Sequence, residues 1–211
     1  MTKKIVADIG SRRGSESAGV TITAEGWCLN VRRVPSPNCS ARLNDLIADD
    51  QAPAETEISL LVIHNISLPP GEFGGPYIEQ LFTNCLSPQV HPYFVDISGL
   101  EVSAHLLIDR QGECVQFVSF DEQAWHAGES CFDGRHHCNE FAIGIELEGT
   151  DTSGYTDLQY AVLAKVTRAL RDRYPAITRT RIVGHSDIAP GRKTDPGPGF
   201  NWQQFEALVG S

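Results

Sequence analysis

Two histidines, His64 and His185, each close a short apolar run, SLLVIH (59–64) and RIVGH (181–185). Apolar, β-branched runs of this length read as strands. Strand ends are rigid supports, and two imidazoles converging there suit a borderline-soft cation such as zinc. A catalytic zinc site takes three protein ligands and leaves the fourth position to water. The third ligand must be another histidine or a carboxylate from a nearby loop. Asp187 and Asp195 compete for that place, both within GHSDIAPGRKTDPGPG (184–199). The prolines and glycines of this run make a stiffly turned loop that could fold Asp195 back toward His185. Spacing alone leaves the choice open.

Other chemistry-bearing residues are less distinctive. FAIGIELEG (141–149) reads as a strand with Ile143 and Ile145 on one face and Gly144, Glu146 and Glu148 on the other. His105 falls on a further strand, where it could face a ligand or be a core histidine bonded to backbone. His136, His137 and Cys138, with Cys131 nearby, have the composition of a metal cluster. Adjacent residues project in different directions, however, and no C-x-x-C pair accompanies them, so the expected reading is an ordinary loop.

The elements that must position these groups follow from periodicity. AHLLID (104–109) and ECVQFVSF (113–120) flank Arg110-Gln111-Gly112, a hairpin turn. Pro76 to about Asn84 suits a short helix with proline near its first turn. The clearest helix is 157–174: Thr156 and Gln159 form a capping-box signature, and Leu158, Val162, Val166 and Leu170 make a stripe expected to pack on the core. Arg168, Arg171 and Arg173 suit its negative end, and Pro175 stops it. A last helix is expected from Trp202 to Leu208. Together these predict one α/β domain, a central mixed β-sheet with helices packed on it and the site at strand ends.

The whole chain agrees with that scale. It has 211 residues, 41% hydrophobic and 21% charged, enough for one substantial core. The formal net charge of -10, with no Lys/Arg run longer than two, argues against a nucleic-acid partner. No apolar stretch is long enough to span a membrane. Residues 1–24 read as a flexible N-terminal extension and 25–211 as the folded domain. After MTKK no apolar signal core follows, because Asp8, Ser11, Arg12, Arg13 and Glu16 interrupt it. The expected location is therefore the cytoplasm, where the six cysteines would be free thiols.

VIHNISLPPGEFGG, HPYF, VSAHLLI, AWHAG, GIELEGTD, GHSDIAPGRKTDPGP and FNW together resemble the AmpD-type 1,6-anhydro-N-acetylmuramyl-L-alanine amidases. These belong to a wider amidase family that includes phage lysozyme-like amidases and peptidoglycan-recognition proteins. The likeness runs from about Gly26 to Leu208, with the motifs in the family's order. It implies that His64, His185 and Asp195 bind Zn²⁺, that Glu146 is the catalytic acid/base, and that Lys193 stabilises the transition state. Glu148, on the same strand face, is the alternative base. Asn65, Tyr93, His105, Trp125 and His126 are the implied substrate contacts. The implied reaction is hydrolysis of the lactyl–L-alanine amide in soluble anhydro-muropeptides, during peptidoglycan recycling, with no protein partner. The alternatives are an amidase of intact peptidoglycan and a non-catalytic peptidoglycan-binding module.

Overall fold

A computed structural model describes residues 19–42 and 57–210. The strands are β1 (Arg32–Arg33), β2 (Cys39–Ser40), β3 (Leu60–Ile66), β4 (Leu106–Ile108), β5 (Cys114–Gln116), β6 (Gln123–Ala124), β7 (Cys131–Phe132), β8 (Arg135–His136), β9 (Ala142–Glu148) and β10 (Ile182–Gly184). The helices are α1 (Tyr77–Phe82), α2 (Phe94–Ile97), α3 (Asp157–Arg173), α4 (His185–Ile188) and α5 (Trp202–Val209). Six strands form the central sheet in the order β1-β5-β4-β9-β3-β10. It is mixed: β4 and β5 are the antiparallel hairpin predicted around Gly112, and all other neighbours are parallel.

Register in the centre of the sheet decides where the chemistry goes. β3 and β9 pair Leu60 with Ala142, Val62 with Gly144, and His64 with Glu146. Side chains of paired residues project to the same face, and alternate residues to opposite faces. Leu61, Ile63, Ile143, Ile145 and Leu147 therefore turn to one side, where they form one core with Leu163, Val166 and Leu170 of α3 and Phe205 of α5. His64, Gly144 and Glu146 turn to the other. That side carries two smaller apolar clusters, one around Phe82, Phe94 and Phe117 and one around Val62, Phe141 and Ile188. Every residue of β9 is buried because both faces of the sheet are covered.

Helix α3 begins with the expected capping box: Thr156 Oγ1 accepts the Gln159 N–H, and the Gln159 side chain accepts the Thr156 N–H. Gln159 Nε2 also donates to the carbonyls of Ile108 and Glu148, tying the helix start to the ends of β4 and β9. The apolar stripe needs correction. Leu158 is 55% exposed, Val162 is half-buried, and only Val166 and Leu170 lie in the core. Residues four apart advance about 40° around a helix of 3.6 residues per turn, so a 158/162/166/170 row spirals off the buried face. The face that packs includes Tyr160, Leu163, Ala164 and Thr167 as well.

The two strand-end histidines also shift. β3 continues two residues past His64, and His185 is the first residue of α4 rather than the last of β10. Within the expected extension, Val20 and Ile22 pack on the main core, and Ile22 bridges Cys28. Residues 19–24 thus join the domain, and the rest of that expectation, 1–18, lies outside the described residues. The His136-His137-Cys138 run leads out of β8 into a short 3-10 turn that buries Cys138, and no metal-compatible grouping involves it among the described residues. All six cysteines are free thiols. No helix among the described residues is long and apolar enough to cross a membrane.

Candidate active site

β3 delivers His64, the N-terminus of α4 delivers His185, and the loop before α5 delivers Asp195. Nδ1 of His64 lies 3.0 Å from Nδ1 of His185 and 3.0 Å from Oδ2 of Asp195, and the last side of the triangle is 3.2 Å. Among the described residues this is the only His/Cys/Asp/Glu grouping with metal-binding geometry. Tetrahedral zinc with bonds of about 2.0–2.1 Å holds its donors roughly 3.3–3.4 Å apart, so small adjustments accommodate it. Two imidazoles and one carboxylate are also a common catalytic zinc donor set. The residues present fit the ion. Asp187 is excluded from the triangle because its carboxylate accepts the Gly184 N–H at 2.7 Å, capping α4.

Asp195 is fixed from both sides of its loop. Its carbonyl accepts the Ser186 N–H, and Tyr155 Oη donates to the carbonyl of Pro196 at 2.8 Å. The glycine of the following PGPG run has a steric cause. Gly197 has φ +75° and lies against Asp151, where any Cβ would overlap the backbone. Burial pushes the Asp195 carboxyl up, but its close contacts with the His185 and His64 rings outweigh that and hold it below its ordinary value. Burial lowers His64 to about 4, against the opposing pull of Asp195. Both shifts favour a neutral His64 facing an ionised Asp195, the forms that bind a cation.

Glu146 sits beside His64 on the same face, buried, and its Oε2 has no hydrogen-bond partner among the described residues. Burial raises its pKa well above the usual carboxylate value, the Asp195 charge adds to that, and Lys193 opposes it. Glu148 is engaged elsewhere: it accepts the Gly74 N–H and lies 3.3 Å from the Arg110 N–H. It does not line the cleft that Glu146 does.

That cleft, about 540 Å³, opens over the triangle. Asn65, Tyr93, Trp125, His126 and Lys193 line it. Asn65 donates to Asp151 at 2.8 Å, and Trp125 Nε1 reaches Ser40 at 3.3 Å. His105 does not line it. Fully buried, it accepts the Gly144 N–H at Nδ1 and meets the Glu122 carbonyl at Nε2, so it is the backbone-bonded core histidine of the two readings. Asp151 and Tyr155 were not singled out from sequence. Their only signal is position, in the loop immediately after the GIELEG strand.

Comparison with known proteins agrees with this architecture. The family model described as N-acetylmuramoyl-L-alanine amidase matches residues 54–198. The 1,6-anhydro-N-acetylmuramyl-L-alanine amidase AmpD of Escherichia coli K12 is 58% identical over 185 residues, covering 88% of this chain and 95% of that protein. A crystal structure of a selenomethionine AmpD derivative superposes with a TM-score of 0.82 at 57% identity, covering 90% of this chain and 99% of the other. Escherichia coli AmiD, solved in complex with the substrate anhydro-N-acetylmuramic acid-L-Ala-D-γ-Glu-L-Lys, gives a TM-score of 0.54 at 27% identity, over 90% and 65% of the two chains. The chain belongs to the N-acetylmuramoyl-L-alanine amidase family.

Proposed function

We propose that this protein is a zinc-dependent amidase that hydrolyses the bond between the lactyl carbonyl of 1,6-anhydro-N-acetylmuramic acid and L-alanine. The observation that carries this reading is the β3–β9 register, which sets the Glu146 carboxylate, its Oε2 without a hydrogen-bond partner among the described residues, beside the His64–His185–Asp195 triangle at the floor of a cleft. The 58% identity to an enzyme named for this activity supports the substrate class.

His64, His185 and Asp195 would hold the zinc ion, which would supply a Lewis acid and lower the pKa of a water to about 7. Glu146 takes the proton of the attacking water and returns it to the alanine nitrogen as the C–N bond breaks. Burial holds its carboxyl above the ordinary value, the direction that favours passing a proton on to the leaving nitrogen. The Lys193 ammonium, at the rim of the same cleft, faces the negative charge that develops on the carbonyl oxygen. Asn65, Tyr93, Trp125 and His126 offer hydrogen-bonding and aromatic surface for sugar and peptide. The products are anhydro-muramic acid and a peptide with a free α-amino group.

Substrates of this kind are soluble wall fragments, and we infer that the protein acts on them in peptidoglycan recycling in the cytoplasm. Activity on anhydromuramyl-tripeptide and on purified sacculi, followed by the appearance of free amine, tests that choice. The soluble fragment should be cut at least tenfold faster per bond; equal rates on sacculi would assign the enzyme to the intact wall.

A further inference from the structure

The two imidazoles of the triangle take their orientation from two consecutive residues, His126 and Ala127. Nε2 of His185 lies 3.0 Å from the Ala127 carbonyl. A carbonyl only accepts, so the His185 proton sits on Nε2 and its Nδ1 lone pair faces His64 and Asp195. Nε2 of His64 lies 3.0 Å from Nδ1 of His126. For His64 to offer its own Nδ1 lone pair to a cation, its proton must sit on Nε2, and His126 Nδ1 is the atom placed to accept it. The side chain of one residue and the main chain of the next thus do the same work for the two rings.

The segment is itself pinned. Asn139 Oδ1 accepts two consecutive backbone N–H groups, from His126 at 3.1 Å and from Ala127 at 2.8 Å. The His126 ring fills the space left by the missing side chain of Gly144, where a Cβ would overlap the ring. Because Gly144 pairs with Val62 on the face shared by His64 and Glu146, that space lies directly behind His64. The ring also meets His105 edge-on at 5.7 Å between centroids, and His105 is fixed to the backbone at both nitrogens. One edge of the ring lines the cleft, and its buried Nε2 has no hydrogen-bond partner among the described residues.

We propose that His126–Ala127 is a tautomer lock for the metal site: His126 is the positioning residue of His64, the Ala127 carbonyl positions His185, and Asn139 holds both in place. The proposal rests on reading His64, His185 and Asp195 as a zinc site.

Zinc titration of the full-length, metal-free protein against a chromophoric chelator tests it. Wild type should bind one zinc and His64→Ala should lose it; failure there sinks the zinc reading itself. Given that binding, His126→Phe, which fills the space without an acceptor, should weaken zinc affinity about 10–100-fold. His126→Asn, which keeps an acceptor near the Nδ1 position, should recover most of it. Asn139→Ala should weaken zinc in the same direction and Asn139→Asp should restore it, a second series that does not depend on how His126→Phe folds. Two-bond ¹H–¹⁵N spectra of the zinc-loaded protein should find His126 neutral with its proton on Nε2. Zinc affinity unchanged in His126→Phe, equal loss in His126→Asn, or a proton on His126 Nδ1 would each overturn the lock while leaving the zinc site intact.

Discussion

Replacing Glu146 with glutamine should separate activity from stability in opposite directions. The carboxylate is buried, one oxygen has no partner among the described residues, and Asp195 is a like charge nearby. Glutamine keeps the shape but cannot accept and release a proton. Loss of general acid/base catalysis lowers rates by about 10²–10⁴, or roughly 3–5 kcal/mol in barrier height. Glu146 is not part of the ligand triangle, so zinc content should stay at one per chain. Stability of the metal-free protein at pH 7 should rise, because a raised pKa means that the fold opposes ionisation of this group. A gain of about 1–2 kcal/mol is expected for removing a poorly solvated charge. Steady-state release of free amine, zinc analysis and urea unfolding on the same preparation supply the three readings. Activity within tenfold of wild type, with zinc retained, would refute the assignment, and the structure leaves Glu148 poorly placed to replace it.

Lys193→Ala should lower kcat by about 10²–10³ as an oxyanion stabiliser is lost; a change confined to KM would make it a binding residue. Leu170→Ala, in the core, should cost about 2–5 kcal/mol in urea unfolding, whereas Leu158→Ala should stay within about 0.5 kcal/mol; equal effects would contradict the packing of α3. The metal-free protein should lose stability as pH falls below about 6.5. Burial lowers His64 to about 4 and His105 to about 3, and drives His126 well below its ordinary value, so the unfolded chain takes up protons that the fold refuses. Glu146 works against this, since the fold binds its proton first on the way down. The net difference of about two protons corresponds to roughly 3 kcal/mol per pH unit near pH 5.5. His105→Asn should remove about one proton from that slope, and a flat profile between pH 6.5 and 5 would refute the argument.

Much of the site could be read in the sequence because its groups sit on strongly patterned elements. Strict alternation in FAIGIELEG separates Glu146 from the isoleucines, and the short runs ending in His64 and His185 are unmistakably strand-like. What alternation cannot supply is which strands become neighbours. The pairing of β3 with β9, and hence the adjacency of His64 and Glu146, comes from tertiary packing. The choice of Asp195 over Asp187 likewise depends on a three-dimensional fact, the capping of α4 by Asp187. His105 and His126 show the same limit from the other side. Both are single histidines in apolar surroundings, yet one is bonded to backbone in the core and the other backs a metal-site imidazole. The absent side chain of Gly144, which makes room for the His126 ring, is invisible as a signal in isolation. The every-fourth-residue stripe misplaced Leu158 because a real buried face is broader than one row and drifts around the helix.

The most direct measurement is mass spectrometry of 1,6-anhydromuramyl-tripeptide incubated with the protein, before chelation, after chelation, and after zinc is returned. Free tripeptide and anhydro-muramic acid should form, stop forming when zinc is removed, and form again at the original rate when it is restored. An intact substrate in the presence of verified zinc-loaded protein would contradict the assigned reaction, and cleavage that persists after complete zinc removal would contradict the role given to His64, His185 and Asp195.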